Sequence, residues 1–315
     1  MKESLRQRFG KTLQELGRSN SDIYVLTADL GGSTCASYFG GEFPERYFNV
    51  GIAEQNMMSM AAGMASCGKY PYVHTFGVFA IQRAFDQICS SVAYGNLPVR
   101  IVCTHTGLST GLDGATHQSI SDIAAMRAVP NMTIISPADA LEAELALRAL
   151  EKHPGPVYFR MTREVRERVL ADDYRFELGK AAQLVDGDDA AILTTGTMVP
   201  RALHASQILR KQGVEARVVS FSSLKPFDAD MVVKAAKETE LILTAEDHSI
   251  YGGLGAAVSE VIAENGLGTP VERFGVPDVF GESATGDELL DKYGLGVNDL
   301  VKGVLGRLKT ASKGC

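Results

Sequence analysis

The loop at residues 104–118, THTGLSTGLDGATHQ, has the composition of a ligand-binding segment. Its glycines allow the backbone to approach a ligand closely, and the loop follows a strand candidate. His105 and His117 are suited to binding an anion or transferring protons. Asp113 is suited to accepting hydrogen bonds from hydroxyl groups. A structural loop with capping polar residues is the alternative. We favour the binding interpretation because this composition is poor material for a core.

Glu54 is a candidate for a carboxyl group directed at a ligand. It stands at the start of an otherwise apolar helix candidate within NVGIAEQNMMSMAAGMAS, residues 49–66. The small residues Ala61, Ala62 and Gly63 would let this helix pack closely. Taken alone, a glutamate in the first turn more often complements the helix dipole. The functional interpretation therefore depends on what lies near Glu54.

Two phenylalanines follow the strand candidate at residues 70–76. Phe76 and Phe79 lie at or just beyond its end and are able to stack on a flat ring. Phenylalanine is usually buried, so plain core packing is the alternative.

Strand and helix candidates alternate along nearly the whole chain. This alternation predicts an α/β protein with two doubly wound domains and mostly parallel sheets. We place the first domain at residues 1–170, a charged linker at 171–185 and a smaller second domain at 186–315. In the first domain, strands are expected at 22–30, 70–76, 98–105, 131–137 and 156–162, and helices at 53–67, 80–94, 120–128 and 138–152. In the second, strands are expected at 189–195, 214–221, 241–246 and 271–275, and helices at 199–212, 228–238, 252–265 and 298–309.

The polar segments follow the ends of the predicted strands. Ser33 lies in DLGGST, residues 29–34, after the first strand, and the 104–118 loop follows the third. Arg160 closes the fifth strand. Ligands of open α/β sheets bind beyond the carboxyl ends of the strands, so we expect these residues to form one binding rim.

Composition excludes several classes of function. The net charge of −7 argues against a nucleic-acid-binding surface, which needs a basic stripe. The chain has no apolar run long enough for a membrane span. Its N-terminus is charged and amphipathic, unlike a signal peptide, so we expect a cytoplasmic protein.

The cysteines are expected to be free thiols. Their number is odd, none forms a CxxC pair, and the histidines and cysteines lack the spacing of metal ligands. We therefore predict no metal site in this chain. The five cysteines are Cys35, Cys67, Cys89, Cys103 and Cys315.

From about residue 4 to about residue 308, the sequence resembles the transketolase family of thiamine diphosphate enzymes. HTGLSTGLDGATHQ is similar to the family's HDSIGxGEDGPTHQ loop, and NVGIAEQNM to the segment that holds its cofactor-activating glutamate. The resemblance implies a pyrimidine-binding domain followed by a transketolase C-terminal domain. It also implies transfer of a two-carbon ketol unit between sugar phosphates.

The resemblance assigns roles to individual residues. It implies that Glu54 hydrogen-bonds the aminopyrimidine ring of thiamine diphosphate, which Phe76 and Phe79 cradle. It implies that His105 and His117 contact the sugar and serve as candidates for proton transfer. The remaining substrate-binding residues that it implies are Ser33, Asp113, Arg160 and Arg6.

One part of the family pattern is absent from this sequence. The family binds the diphosphate and Mg²⁺ through an N-terminal domain with a GDG motif, and no GDG occurs here. A diphosphate needs a metal ion or clustered cations. The resemblance therefore implies an N-terminal transketolase subunit as partner, which binds the Mg²⁺ ion for the most part. The two subunits are expected to form an α2β2 heterotetramer that is active only when assembled.

Two alternatives remain open at this point. Gln82 replaces a tyrosine of many transketolases, and the run RAFDQI from Arg83 onward is more like deoxyxylulose-phosphate synthases or the β-type subunits of keto-acid decarboxylases. A non-catalytic regulatory subunit is the alternative from a different class. Retention of Glu54, Asp113 and both histidines of the 104–118 loop speaks against it.

Overall fold

The computed structural model describes residues 2–311. Short runs of β-branched and aromatic residues form its strands, as their composition predicts. In the first half these strands are β1 (Lys2–Ser4), β2 (Ile23–Thr27), β3 (Tyr47–Asn49), β4 (Tyr70–Phe76), β5 (Arg100–Thr104), β6 (Thr133–Ile135), β7 (Val157–Arg160) and β8 (Val165–Glu167). In the second half they are β9 (Ala182–Val185), β10 (Ala190–Thr194), β11 (Ala216–Ser220), β12 (Ser223–Lys225), β13 (Ile242–Ser249) and β14 (Val271–Val276).

Helices connect most of these strands. Those of the first half are α1 (Leu5–Ser19), α2 (Ser37–Glu42), α3 (Glu54–Ser66), α4 (Gly77–Arg83), α5 (Phe85–Gln87), α6 (Asp122–Ala128) and α7 (Ala140–Ala149). Those of the second half are α8 (Val199–Arg210), α9 (Ala229–Glu238), α10 (Leu254–Glu264), α11 (Gly286–Lys292) and α12 (Val297–Ala311). No helix among residues 2–311 is both long and apolar enough to cross a membrane.

The first sheet has seven strands in the order β12-β6-β7-β5-β4-β2-β3. All its neighbours are parallel except the β12–β6 pair. Apolar side chains pack on both faces, with α1 and α7 on one and α3 and α6 on the other. This is the predicted doubly wound arrangement, and it brings the carboxyl ends of β2, β4 and β5 to one edge.

The second sheet has five strands in the order β14-β13-β10-β11-β9. Three of its four strand pairings are parallel, and the edge strand β9 runs antiparallel to β11. One apolar cluster contains residues of both domains, so the two sheets share part of their core. The two domains are therefore packed together rather than joined only by the linker.

Three segments differ from the sequence-based expectation. The helix expected at 80–94 is broken at Ala84, whose backbone is not helical, and it continues as a π-helix at Ile88–Ala93. Residues 182–185, inside the expected linker, form β9. β12, from the second half, pairs with the first sheet and not with its own. Tertiary pairing decides these short segments, which carry too few residues for a clear periodic pattern.

The thiols of the described residues follow the prediction. Cys35, Cys67, Cys89 and Cys103 are free, and Cys315 lies outside the described residues.

Candidate active site

Two phenylalanines and two histidines meet at the carboxyl edge of the first sheet. Phe76 ends β4 and stacks on His105, which follows β5, with ring centroids 3.8 Å apart and an interplanar angle of 21°. Phe79, one turn later on α4, lies 5.6 Å from Phe76 and 5.4 Å from His117 between centroids. We call these four residues the aromatic–histidine cluster. Their proximity follows from β4 and β5 being parallel neighbours.

His105 is held in a fixed and unusual conformation. Its side chain is buried, its φ of 55° lies in the left-handed region, and its Nδ1 lies 2.9 Å from the Thr104 hydroxyl oxygen. Such backbone strain in a non-glycine residue is typical of functional sites. Burial, reinforced by the charges of Arg6 and Arg163, lowers the pKa of His105 to about 3. The imidazole is therefore neutral at physiological pH.

Glu54 is the first residue of α3 and is 4% exposed. Its Oε1 lies 2.9 Å from Nη1 of Arg83. The same guanidinium lies over the Phe79 ring, 3.9 Å from its centroid. One flat cationic group thus contacts both the carboxyl group and the aromatic face, so Glu54 and Phe79 border one narrow space.

Arg83 was not predicted as a site residue. The signal was present in its spacing, because Phe79 and Arg83 are four residues apart on α4 and such pairs share a helix face.

A second, cationic part of the site lies beside the 104–118 loop. Arg6 donates from Nη2 to the carbonyl oxygen of Arg163 at 2.9 Å, and from Nη1 to that of Ser33. Arg163 Nη1 pairs with Asp113 at 2.8 Å. The structure therefore brings together three predicted residues, Arg6, Ser33 and Asp113. It adds Arg163, which the sequence reasoning missed.

Arg160 does not lie at the expected place on the rim. It is 3% exposed, and its Nε donates to the carboxylate of Asp122 at 2.9 Å. Its Nη2 donates to the carbonyl oxygen of Asp247 at 2.7 Å. These interactions fix the guanidinium inside the protein, between the two domains. The exposed arginine of this segment is Arg163, three residues later, with 38% of its side chain accessible.

The second domain packs against one side of the 104–118 loop. Leu108 is fully buried in the second domain's apolar cluster, although the sequence suggested that the loop was poor core material. Gln118 donates from Nε2 to the carbonyl oxygen of Glu282 at 2.7 Å. Ser283 donates its hydroxyl to the carbonyl oxygen of Leu112 at 2.6 Å. The loop is thus fixed at several points along its length.

The described residues contain no group of three or more His, Cys, Asp or Glu side chains arranged to hold a metal ion.

Comparisons with known families divide the chain in two. Residues 2–167 match the family described as "Transketolase, pyrimidine binding domain". Residues 179–300 match the family described as "Transketolase, C-terminal domain".

Individual relatives cover nearly the whole chain. A protein of Methanocaldococcus jannaschii described as "Putative transketolase C-terminal section" is 45% identical over 98% of this chain and 97% of its own length. A 6-deoxy-6-sulfo-D-fructose transketolase subunit of a Clostridium species is 39% identical over 95% and 92%, respectively. A solved structure described as "Split gene transketolase, inactive beta4 tetramer" is 46% identical and superimposes with a TM-score of 0.90, covering 97% of this chain and 98% of that one.

Proposed function

Because the chain belongs to the transketolase family, we propose that it is one subunit of a split transketolase that transfers a two-carbon ketol unit between sugar phosphates. The observation that carries this proposal is the shared space between Glu54 and Phe79, beside the histidines of the 104–118 loop. A buried carboxyl group next to an aromatic face is the environment that an aminopyrimidine ring requires.

The residues around this space fit thiamine diphosphate, the cofactor of the family. The guanidinium of Arg83 is planar and donates to Glu54 while stacking on Phe79, and an aminopyrimidine is able to make both interactions. Bound there, the cofactor would supply a carbon nucleophile that also stores an electron pair. Glu54 would share a proton with the ring nitrogen, and Phe76 and Phe79 would fix the plane of the ring.

In this proposal His105 and His117 move protons on the sugar. Nδ1 of His105 lies 2.9 Å from the Thr104 hydroxyl, and Nδ1 of His117 lies 2.9 Å from the Thr116 hydroxyl. In each ring this leaves Nε2 for exchange with a substrate hydroxyl group. Because the pKa of His105 is lowered to about 3, that ring exchanges protons from its neutral form.

For the phosphate group we propose Arg163 and Arg6, with Asp113 and Ser33 beside them. Their contacts with one another place two cations in one partly exposed position. Guanidinium groups bind phosphate oxygens through charge-assisted hydrogen bonds. In this proposal Arg163 takes the role expected of Arg160, which is buried. A sulfonated sugar, as in the name of the Clostridium relative, carries an anion that the same pair would accept.

The opposite side of the cleft requires a partner. Ile52, two residues before Glu54, is 75% exposed, and Arg83 is 46% exposed. We propose that an N-terminal transketolase subunit covers this side, binds the diphosphate with Mg²⁺ and forms an α2β2 heterotetramer in the cytoplasm. The description of a similar solved β tetramer as inactive supports the need for a second chain.

The test is reconstitution with an N-terminal-type transketolase subunit from the same genome. The two chains, thiamine diphosphate and Mg²⁺ are mixed, and ketol transfer from xylulose 5-phosphate to ribose 5-phosphate is followed. We expect turnover by the mixture and none by either chain alone. Turnover by this chain alone would contradict the split-enzyme proposal. Condensation of pyruvate with glyceraldehyde 3-phosphate, without ketol transfer, would instead support a deoxyxylulose-phosphate synthase.

A further inference from the structure

We propose that Asp247, in the second domain, is a positioning residue for the substrate-binding loop of the first. Asp247 lies near the carboxyl end of β13 and is 1% exposed. It is outside the aromatic–histidine cluster, and none of the roles assigned above involves its side chain. The catalytic part of this inference rests on the proposed function, whereas the structural part concerns the chain alone.

The carboxylate of Asp247 binds two consecutive backbone groups of the loop. Oδ1 accepts the N–H of Leu108 at 2.7 Å, and Oδ2 accepts the N–H of Ser109 at 3.1 Å. The hydroxyl of Thr197 donates to Oδ2 at 3.4 Å. Hydrogen bonds to a charged acceptor are stronger than those between neutral groups, and here all the participants are buried.

Gly107 permits this close approach. Its φ is 72°, and a Cβ atom placed on it would lie 2.3 Å from Oδ2 of Asp247. A side chain at this position would therefore collide with the carboxylate, in addition to straining the backbone. At position 107, only glycine is compatible with both the left-handed backbone conformation and the nearby carboxylate of Asp247.

A second set of contacts closes the loop. The N–H of Gly107 donates to the carbonyl oxygen of Ser119 at 2.8 Å, which joins the two ends of the loop. Leu108 inserts between apolar residues of the second domain. Asp113 and His117 lie between these fixed ends, and His105 lies two residues before the first. The positions of these three side chains therefore depend on the hydrogen bonds from Leu108 and Ser109 to the Asp247 carboxylate, which we call the anchor.

The buried Arg160 holds the backbone of Asp247 in place. Its Nη2 donates to the carbonyl oxygen of Asp247, and its Nε pairs with Asp122. The hydroxyl of Tyr158 also donates to Asp122 at 2.9 Å. This network fixes the backbone of Asp247, while its carboxylate is satisfied by the two N–H groups of the loop and the hydroxyl of Thr197. It also gives Arg160 a structural function in place of direct contact with a phosphate.

The test compares Asp247→Asn with Asp139→Asn. Asp139 is a matched control, since it is 1% exposed and its Oδ2 accepts two consecutive N–H groups, of Val169 and Leu170, at 2.9 and 3.0 Å. It contacts no residue of the 104–118 loop in those bonds. Asparagine retains one acceptor but presents an N–H₂ group to the second backbone donor, which leaves that donor unpaired.

Hydrogen exchange of the full chain, without partner or substrate, measures the anchor directly. We expect amides 107–118 to exchange roughly 10- to 100-fold faster in Asp247→Asn, because one buried donor loses its partner. Asp139→Asn should leave those amides unchanged. Unchanged exchange in Asp247→Asn, or equal acceleration in both variants, would overturn the proposal. Gly107→Ala tests the same contact from the loop side and should accelerate the same amides.

The assembled enzyme gives the second measurement. Asp247→Asn should lower kcat/KM for xylulose 5-phosphate by roughly tenfold or more, with the apparent affinity for thiamine diphosphate within about twofold of wild type. Loss of substrate and cofactor binding together would indicate general unfolding and overturn the positioning role. If wild type itself shows no ketol transfer, the proposed function fails, while the exchange experiment still decides whether Asp247 holds the loop.

Discussion

The 104–118 loop and the start of α3 lie at the same edge of one sheet, but this chain surrounds them to different degrees. The loop is anchored on the second domain, where Leu108 is fully buried and donates its N–H to the carboxylate of Asp247, while Leu112 further along the loop is 65% exposed. The start of α3 is open, with Ile52 75% exposed two residues before the buried Glu54. The loop side of the cleft, which we call the enclosed side, is therefore anchored by contacts with the second domain. The α3 side, which we call the open side, has no such contact at Ile52.

This difference separates two kinds of binding. In the function that we propose, the residues assigned to the sugar phosphate are already fixed in place by the isolated chain. The residues that we propose for the cofactor, Glu54 and Phe79, share a space that the isolated chain fills with its own Arg83. Changes on the enclosed side should alter substrate use and loop order, whereas changes on the open side should alter cofactor activation and leave the fold intact.

The largest expected effect follows from Glu54→Gln on the open side. The amide is nearly isosteric but cannot share an acidic proton with a ring nitrogen, so we expect kcat in the assembled enzyme to fall on the order of 10²–10⁴-fold. Assembly with the partner, measured by analytical size exclusion, should be unchanged. Glu45→Gln is the control, because Glu45 is an exposed glutamate of the same half of the chain, with 68% of its side chain accessible. Full activity of Glu54→Gln would remove Glu54 from the mechanism.

A smaller effect is expected on the enclosed side from Arg163→Gln. Loss of one charge-assisted contact should raise KM for a phosphorylated donor by roughly 10- to 100-fold and leave the non-phosphorylated donor hydroxypyruvate little affected. The free energy of unfolding should change little, since the Arg163–Asp113 pair is partly exposed.

Arg160→Gln should show the opposite pattern. It removes one partner of the buried pair with Asp122, which typically costs about 3–5 kcal/mol of stability. Denaturant unfolding of both variants, together with KM for both donors, checks the distinction. A normal stability for Arg160→Gln combined with a raised KM for the phosphorylated donor would return the phosphate role to Arg160.

The strands and the rim were predictable because their physical signals are local. Buried parallel strands carry continuous β-branched and aromatic runs. The rule that ligands bind beyond carboxyl ends grouped Ser33 with the 104–118 loop, and Arg6 and Arg163 connect the two in the structure. The same rule explains the different position of Arg160. It is the last residue of β7 and is still inside the sheet, whereas Arg163 lies beyond the strand end.

Contacts between the domains were not predictable in the same way. Asp247 belongs to a run of ionisable residues, Glu246–His248, inside a buried strand, and such a run in a strand is a signal of a specific polar role. The sequence does not say which loop meets that run. β12 gives the same lesson, because three residues far along the chain complete the first sheet only through tertiary pairing.

Replacement of Arg83 on the open side should have only a small effect. Its guanidinium occupies the space between Glu54 and Phe79 that we assign to an aminopyrimidine, so the cofactor must displace it. Arg83→Gln should therefore tighten apparent thiamine diphosphate binding in the assembled enzyme a few-fold. Cofactor titration monitored by activity and by isothermal titration calorimetry checks this, with Arg18→Gln, in an exposed pair with Glu42, as the matched control. Tenfold weaker binding of thiamine diphosphate would contradict this and would mean that Arg83 itself helps to hold the cofactor. The open side of the chain would then contribute three cofactor-binding residues, Glu54, Phe79 and Arg83.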